Sequence, residues 1–236
     1  SVKSNEAVTG CIAIGKDALK GSNSTTISAN YTIAIGYAAG AAITASNHSE
    51  ENTLVGNVAG TALLTGDGNV AVGALALDAE TQGHKSTAIG YAALSAQANG
   101  SDVDVLNTAV GYKAGLALTT AIKCTIVGGQ AGKSITDTNA NGTTLIGFES
   151  GASITTGIGN VAVGFQAADG ITTGNRNIAI GYTAMGDAGG ATVLGSGDNV
   201  MIGYNSGGGT WTTAVNDQNV AIGNQTMAAV SYTHLT

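Results

Sequence analysis

The stretch from Asn160 to Met185, NVAVGFQAADGITTGNRNIAIGYTAM, contains one phrase twice, because NVAVGFQA begins at Asn160 and NIAIGYTA begins at Asn177. Repetition at a fixed spacing is typical of architectures in which each unit stacks on the next. Alignment on the Gly inside the phrase gives twelve copies, and the shortest interval between them recurs five times. The repeat glycines are Gly15, Gly36, Gly56, Gly73, Gly90, Gly111, Gly128, Gly147, Gly164, Gly181, Gly203 and Gly223. The sequence therefore predicts a single repeat domain of about twelve coils over residues 1–229.

Each copy has the composition of a short strand. The residue before the Gly is Ile or Val in all twelve copies, and the residue three before it is always β-branched. Such residues favour strands, and the run is too short for a helix. A bend at the Gly suits a residue without Cβ, which adopts positive φ or permits close backbone approach. We therefore predict an all-β fold, a parallel β-roll or β-solenoid with coils of 17–22 residues. Segments such as Ile171–Gly174 (ITTG) suggest a second short strand in each coil.

The alternation of strand side chains predicts which residues lie inside. Val161 and Val163, and likewise Ile178 and Ile180, are expected to point into the coil. The residue two before the Gly would then lie on the outer face, and it is Ala, Leu, Ile or Met in every copy. A row of apolar residues on an outer face predicts side-by-side association with other chains. The candidate residues for facing another chain are Ala13, Ala34, Leu54, Ala71, Ala88, Ala109, Ile126, Leu145, Ala162, Ala179, Met201 and Ala221.

The position four before the Gly is Asn in seven copies. Asn at this position is consistent with either a stacked ladder of amides or a simple turn former. Cys11 and Cys124 occupy the same position in copies one and seven. Six coils separate these cysteines, so we expect two thiols rather than a disulfide within one chain.

The repeated phrase resembles a known family. N-T-A-V-G-Y-K-A (Asn107–Ala114) and N-I-A-I-G-Y-T-A (Asn177–Ala184) resemble the head repeats of trimeric autotransporter adhesins, and are also similar to bacteriophage tail-fibre repeats. The resemblance covers about residues 7–229 and implies a left-handed β-roll packed as a homotrimer, located outside the cell, on a cell surface or on a virion. The coils are longer than those of typical adhesin heads, and the parts that distinguish the two classes, such as a neck, a heptad stalk or a membrane anchor, are expected outside this fragment. Adhesin and phage fibre therefore stay open.

The last residues, Val230–Thr236 (VSYTHLT), look like a translated sequencing adapter. On that interpretation residues 230–236 are a non-native tail of a metagenomic reading frame. Residues 1–229 would then be a fragment of a longer fibre.

Composition limits the possible partners. The net charge of −7, with only eight Lys and Arg, argues against nucleic acid, whose binders present a basic stripe. No apolar run approaches the ~20 residues that span a bilayer, so we expect no membrane insertion in this fragment. The expected partners are identical chains and a glycan or protein receptor on a host or cell surface.

Sites for that receptor are expected in the loops. The candidate surface-binding residues are Trp211, the only Trp, together with His48, Asp102 and Asp104. We predict no catalytic residue, cofactor or metal, because neither His48 nor His84 has triad or zinc-ligand spacing. The expected function is a non-enzymatic fibre segment for attachment.

Two alternatives remain open at this stage. One is an ice- or crystal-surface binder that uses the Thr residues three before the Gly, although these are expected to be interior. They are Thr53, Thr87, Thr108, Thr125 and Thr144. The other alternative, favoured less, is a polysaccharide-cleaving tailspike.

Overall fold

A computed structural model describes residues 9–21, 29–43, 49–186, 196–209 and 217–227. These residues form a parallel β-solenoid with one 3₁₀ turn at Thr138–Ala140, so the predicted all-β fold is confirmed. The chain divides into two compact units, residues 1–120 and residues 121–236. Each unit contributes six three-residue strands, one for each copy of the repeated phrase.

The six strands of the first unit pair in parallel with their sequence neighbours. They are β1 (Ile12–Ile14), β2 (Ile33–Ile35), β3 (Thr53–Val55), β4 (Val70–Val72), β6 (Thr87–Ile89) and β8 (Thr108–Val110). Two further two-residue strands, β5 (Gly83–His84) and β7 (Val103–Asp104), form a separate parallel pair. The expected second strand is thus present only here among the described residues. In coils such as that of Ile171–Gly174 the segment forms a single bridge residue followed by two bends instead.

The second unit follows the same plan. Its strands are β9 (Thr125–Val127), β10 (Thr144–Ile146), β11 (Val161–Val163), β12 (Ile178–Ile180), β13 (Val200–Ile202) and β14 (Val220–Ile222). The register does not depend on coil length. Val161 pairs with Ile178 across one of the shortest coils, and Ile178 pairs with Val200 across the longest. The extra residues of a longer coil therefore leave the ladder unchanged.

The predicted facing of the strands is wrong. The middle residue is buried inside its own coil in every three-residue strand after β1: Ala162 and Ala179 are fully buried, whereas Val161 and Val163 are partly exposed and Ile180 is 36% exposed. The candidate residues for facing another chain that lie inside instead are Ala34, Leu54, Ala71, Ala88, Ala109, Ile126, Leu145, Ala162, Ala179, Met201 and Ala221, and Ala13 is half-buried. The physical reason is volume, because a narrow coil has room for small side chains at its centre but not for two rows of Ile and Val.

At the other interior positions, too, the size of the side chains is limited by the width of the coil. The small residue three after the Gly is buried, as Ala167 and Ala184 show, and so is the aliphatic residue seven after it, as at Ile154. Where the middle strand residue is as large as Leu145, a glycine in the same coil makes room. A Cβ on Gly151 would lie 2.6 Å from the Leu145 Cδ2 atom. The interior is therefore close-packed, and its side-chain sizes are matched from one wall to the other.

The repeat glycine is required by the stacking of coils. Gly164 has φ of +139°, and its N–H donates to the Ile146 carbonyl of the preceding coil at 2.8 Å. A Cβ at Gly164 would lie 2.7 Å from the carbonyl carbon of Gly181 in the following coil. The same clash with the next repeat glycine recurs along each unit, for example at Gly36 and Gly147. No other residue fits this bend without displacing a neighbouring coil.

The Asn position forms an amide ladder. The Asn160 Nδ2 group donates to the carbonyls of Gly157 at 3.0 Å and Gly174 at 2.7 Å. Its Oδ1 atom accepts the backbone N–H of Asn177 at 2.9 Å, and Asn177 repeats this arrangement toward Asn199. These side chains are buried, so each amide satisfies backbone groups that water cannot reach. Of the two roles left open by the sequence, the structure supports the ladder.

Candidate interaction surfaces

The outer face of the parallel strands is apolar. The first and third side chains of each strand project outward, and in the second unit this set, here called the apolar face, contains only Ile, Val and two Thr. Its members are Thr125, Val127, Thr144, Ile146, Val161, Val163, Ile178, Ile180, Val200, Ile202, Val220 and Ile222. Ile146 is 40% exposed and Ile222 is 66% exposed. A contiguous apolar surface of this kind is the usual mark of an interaction site.

Aromatic rings form a second exposed row, one residue after the repeat Gly. Phe148 stacks on Phe165 with ring centroids 5.7 Å apart, and Phe165 stacks on Tyr182 at 4.9 Å. Tyr182 and Tyr204 are 5.8 Å apart but tilted by 31°. In the first unit, Tyr91 stacks on Tyr112. This position is aromatic in seven of the twelve copies, so the row was predictable from the sequence although it is not among the predicted site residues.

A pocket of about 300 Å³ lies beside the last two rings of this row. Its lining includes Gln166, Asp169, Tyr182, Thr183, Tyr204 and Asn205. Gly186 completes the lining at a position where the preceding coil carries Asp169. None of these residues belongs to a strand, so the pocket opens on the wall that follows the glycine bend and not on the apolar face.

Asp102 and Asp104 lie in a polar cluster around His84. The Asp67 backbone N–H donates to His84 Nδ1 at 2.9 Å, which assigns the ring proton to Nε2, and that nitrogen donates to Asp102. Lys85 pairs with Asp104 at 2.8 Å, and its hydrogen bond lowers the pKa of that exposed carboxyl. Both nitrogens of His84 are thus engaged by neighbouring coils, so the ring serves to join coils. The other two candidates, Trp211 and His48, lie outside the described residues.

A carboxylate is buried in the first unit. Glu80 occupies the interior position that is Ile or Leu in most other coils, and it is fully buried. It accepts the backbone N–H groups of Thr81 and Gly83, each at 2.8 Å, and the Gln97 side-chain amide at 2.9 Å. Asn99 also donates to it, through both its backbone and side chain. This acid closes a turn and has no access to a substrate.

Cys11 and Cys124 form no disulfide, and burial raises the pKa of the Cys124 thiol. Across the described parts of the chain, no group of three His, Cys, Asp or Glu side chains is arranged to hold a metal ion. Within the same ranges, no helix has the length and apolar character needed to cross a membrane.

The Thr residues of the crystal-binding alternative point outward, contrary to expectation. Thr87 pairs with Thr108, and Thr125 pairs with Thr144, on the outer side of their strands. Each is partly exposed. The third residue of the same strands is Ile or Val, so the surface alternates Thr with branched aliphatic residues.

Comparison with known proteins returned no relative: no family model, curated protein or solved structure matches this chain.

Proposed function

We propose that this protein is a non-enzymatic segment of an attachment fibre, in which three identical chains associate through their apolar faces. The observation that carries the proposal is the row of outward-facing Ile and Val side chains, half-buried to exposed, on six consecutive strands of the second unit, which includes Ile146, Ile180 and Ile222. Burying such a surface contributes about 25 cal/mol for each Å² removed from water. Because the apolar residues lie in register from strand to strand, they form one continuous surface that a second copy of the chain can cover.

The resemblance to adhesin heads and tail fibres supports three chains rather than two. Because the middle residues of the strands are buried, the packing surface consists of the first and third strand residues, which form the apolar face. The remaining walls then carry the loops, the aromatic row and the pocket outward. Three copies of each displayed site would raise avidity without any new contact. A location outside the cell, on a cell surface or a virion, belongs to the same proposal.

The association is tested by placing a charge on the apolar face. Val163→Lys and Ile180→Lys introduce a Lys on the outer side of β11 and β12, whereas Ile158→Lys places it at a position off the strand face that is 45% exposed. Light scattering coupled to size exclusion should give a trimer for the native chain and the Ile158→Lys control. It should give monomers for the two face variants. A native chain that is monomeric at micromolar concentration would refute the proposal.

A crystal-surface binder is the second candidate, supported by the outward-facing Thr pairs. Thr87, Thr108, Thr125 and Thr144 offer hydroxyls beside branched aliphatic side chains on adjacent strands. This role predicts thermal hysteresis in a freezing assay, reduced by Thr125→Lys. Freezing behaviour equal to that of buffer would eliminate it.

A further inference from the structure

The pocket in the second unit lies between two coils that differ in one side chain and in the packing of their rings. Position five after the repeat Gly is Asp169 in one coil but Gly186 in the next, so a side chain is missing there. At the same level the aromatic row loses its stacking: Phe165 and Tyr182 lie within 14° of parallel, whereas Tyr182 and Tyr204 are tilted by 31°. The depression lies between these two coils, where the side chain is absent and the rings are tilted.

The chemistry of the lining suits a ligand rich in hydroxyl groups. Asp169 accepts hydrogen bonds, the Asn205 and Gln166 side chains carry both donors and acceptors, and Thr183 carries a hydroxyl. Two tyrosines, each about half exposed, add apolar ring surface against which C–H groups pack. Aromatic surface beside a few convergent polar groups is what a saccharide ring requires, and the volume of 300 Å³ suits a small ligand.

Charge selects among saccharides. Among the described residues, the lining contains one carboxylate, Asp169, and no Lys or Arg. Glu149 lies close by, since its carboxylate accepts the Gln166 amide at 2.9 Å. Gln166 is thereby oriented by a second acid. Glu149 is itself paired with Lys133 at 3.2 Å, so Asp169 is the carboxylate of the lining that an anionic sugar would meet, and like charges brought together oppose binding.

We propose that this pocket binds a neutral saccharide and is the site by which the fibre recognises a glycan. The inference deepens the proposed attachment function and rests on it for its biological role. The site itself lies within one chain, so binding does not require association of chains. A methyl hexoside should bind with a Kd of about 1 mM, from the usual free energy per heavy atom of a ligand. Three copies in a trimer would multiply the strength of attachment to a surface dense in that sugar.

The test is saturation-transfer NMR with methyl glycosides of glucose, galactose, mannose and N-acetylglucosamine, and with sialic acid as the anionic probe. At least one neutral glycoside should bind the native protein. Sialic acid should bind at least ten-fold more weakly. Tyr204→Ala and Asp169→Asn should each weaken binding at least ten-fold. The matched control is Tyr112→Ala, which removes an equally exposed ring from the same row in the first unit and should leave binding unchanged.

Three results would overturn the saccharide site: no binding of any neutral glycoside at 50-fold the expected Kd (~50 mM), tighter binding of sialic acid, or equal loss in Tyr112→Ala. Far-UV circular dichroism of each variant separates loss of a contact from loss of the fold. Light scattering on the same samples reports association separately. A trimer that binds no sugar refutes only the site, and a monomer that binds sugar refutes only the trimeric fibre.

Discussion

Replacing Gly164 with Ala should destabilise the solenoid by several kcal/mol, although the change adds a single carbon. At φ of +139° an L-residue is strained, which costs about 1–3 kcal/mol. The new Cβ would lie 2.7 Å from the carbonyl carbon of Gly181, so the coils must separate locally. Separation stretches the bonds that join these two coils, from Gly181 N–H to Val163 at 2.8 Å and from Thr183 N–H to Phe165 at 2.9 Å. At about 1 kcal/mol for each bond, the total loss is about 3–5 kcal/mol.

Gly159→Ala is the matched control in the same coil. Gly159 also has positive φ, at +65°, but a Cβ there would meet only the Arg176 Cγ atom at 3.7 Å, an ordinary contact. Its expected cost is the conformational penalty alone, about 1–2 kcal/mol. The difference between the two variants isolates the clash between coils. Urea denaturation followed by far-UV circular dichroism measures it, at one protein concentration because association shifts apparent stability. Equal losses in the two variants would show that the repeat glycine is not needed for stacking.

Three other substitutions test the buried polar groups and a surface ion pair by the same measurement. Glu80→Leu introduces the aliphatic side chain that the preceding coil has at Leu63 but leaves the N–H groups of Thr81 and Gly83 without an acceptor, so it should cost about 3 kcal/mol and more than Glu80→Gln; a neutral or stabilising Glu80→Leu would contradict this. Asn177→Ala removes a donor to Ser196 and an acceptor for Asn199 from the amide ladder and should cost about 2–3 kcal/mol, whereas no loss would reduce the ladder to a turn preference. The hydrogen bond from Arg176 lowers the pKa of Asp198 below its ordinary 3.8, so the pair contributes stability at neutral pH that is lost as pH falls through the lowered value. Asp198→Asn should therefore show a shallower loss of stability on acidification, and an unchanged acid profile would exclude the pair.

The strands and their register were predictable because one short phrase recurs with its Gly and its two β-branched positions intact. Which side of each strand faces the interior of the coil was not predictable in the same way. Alternation states that Ala162 and Val163 lie on opposite sides but does not state which side is inside. We assigned the larger side chains to the interior, as in an ordinary domain core. In a coil this short the interior is too narrow for that assignment, and the small Ala162 and Ala167 fill it instead.

The candidate site was harder to predict for a different reason. The aromatic row is readable in the sequence, since it occupies one position in most copies. The pocket depends on a missing side chain at Gly186 and on a ring tilt at Tyr204, and neither is visible until the coils are stacked. His84 is a case in which nearby acidic residues do not form a reactive site. Its ring is hydrogen-bonded to the backbone N–H of Asp67 and to the carboxylate of Asp102, and these two bonds join successive coils.

The independence of register from loop length has an evolutionary consequence. A segment copied in frame from one repeat Gly to the next would add one strand, one amide and one outward-facing aliphatic pair, each matched to its new neighbours. Recombination between near-identical coils, such as those of Gly164 and Gly181, can therefore change the number of strands in whole steps. Loops can meanwhile diverge freely between the conserved phrases. A lineage carrying this chain can alter its span and its recognition sites by separate genetic routes.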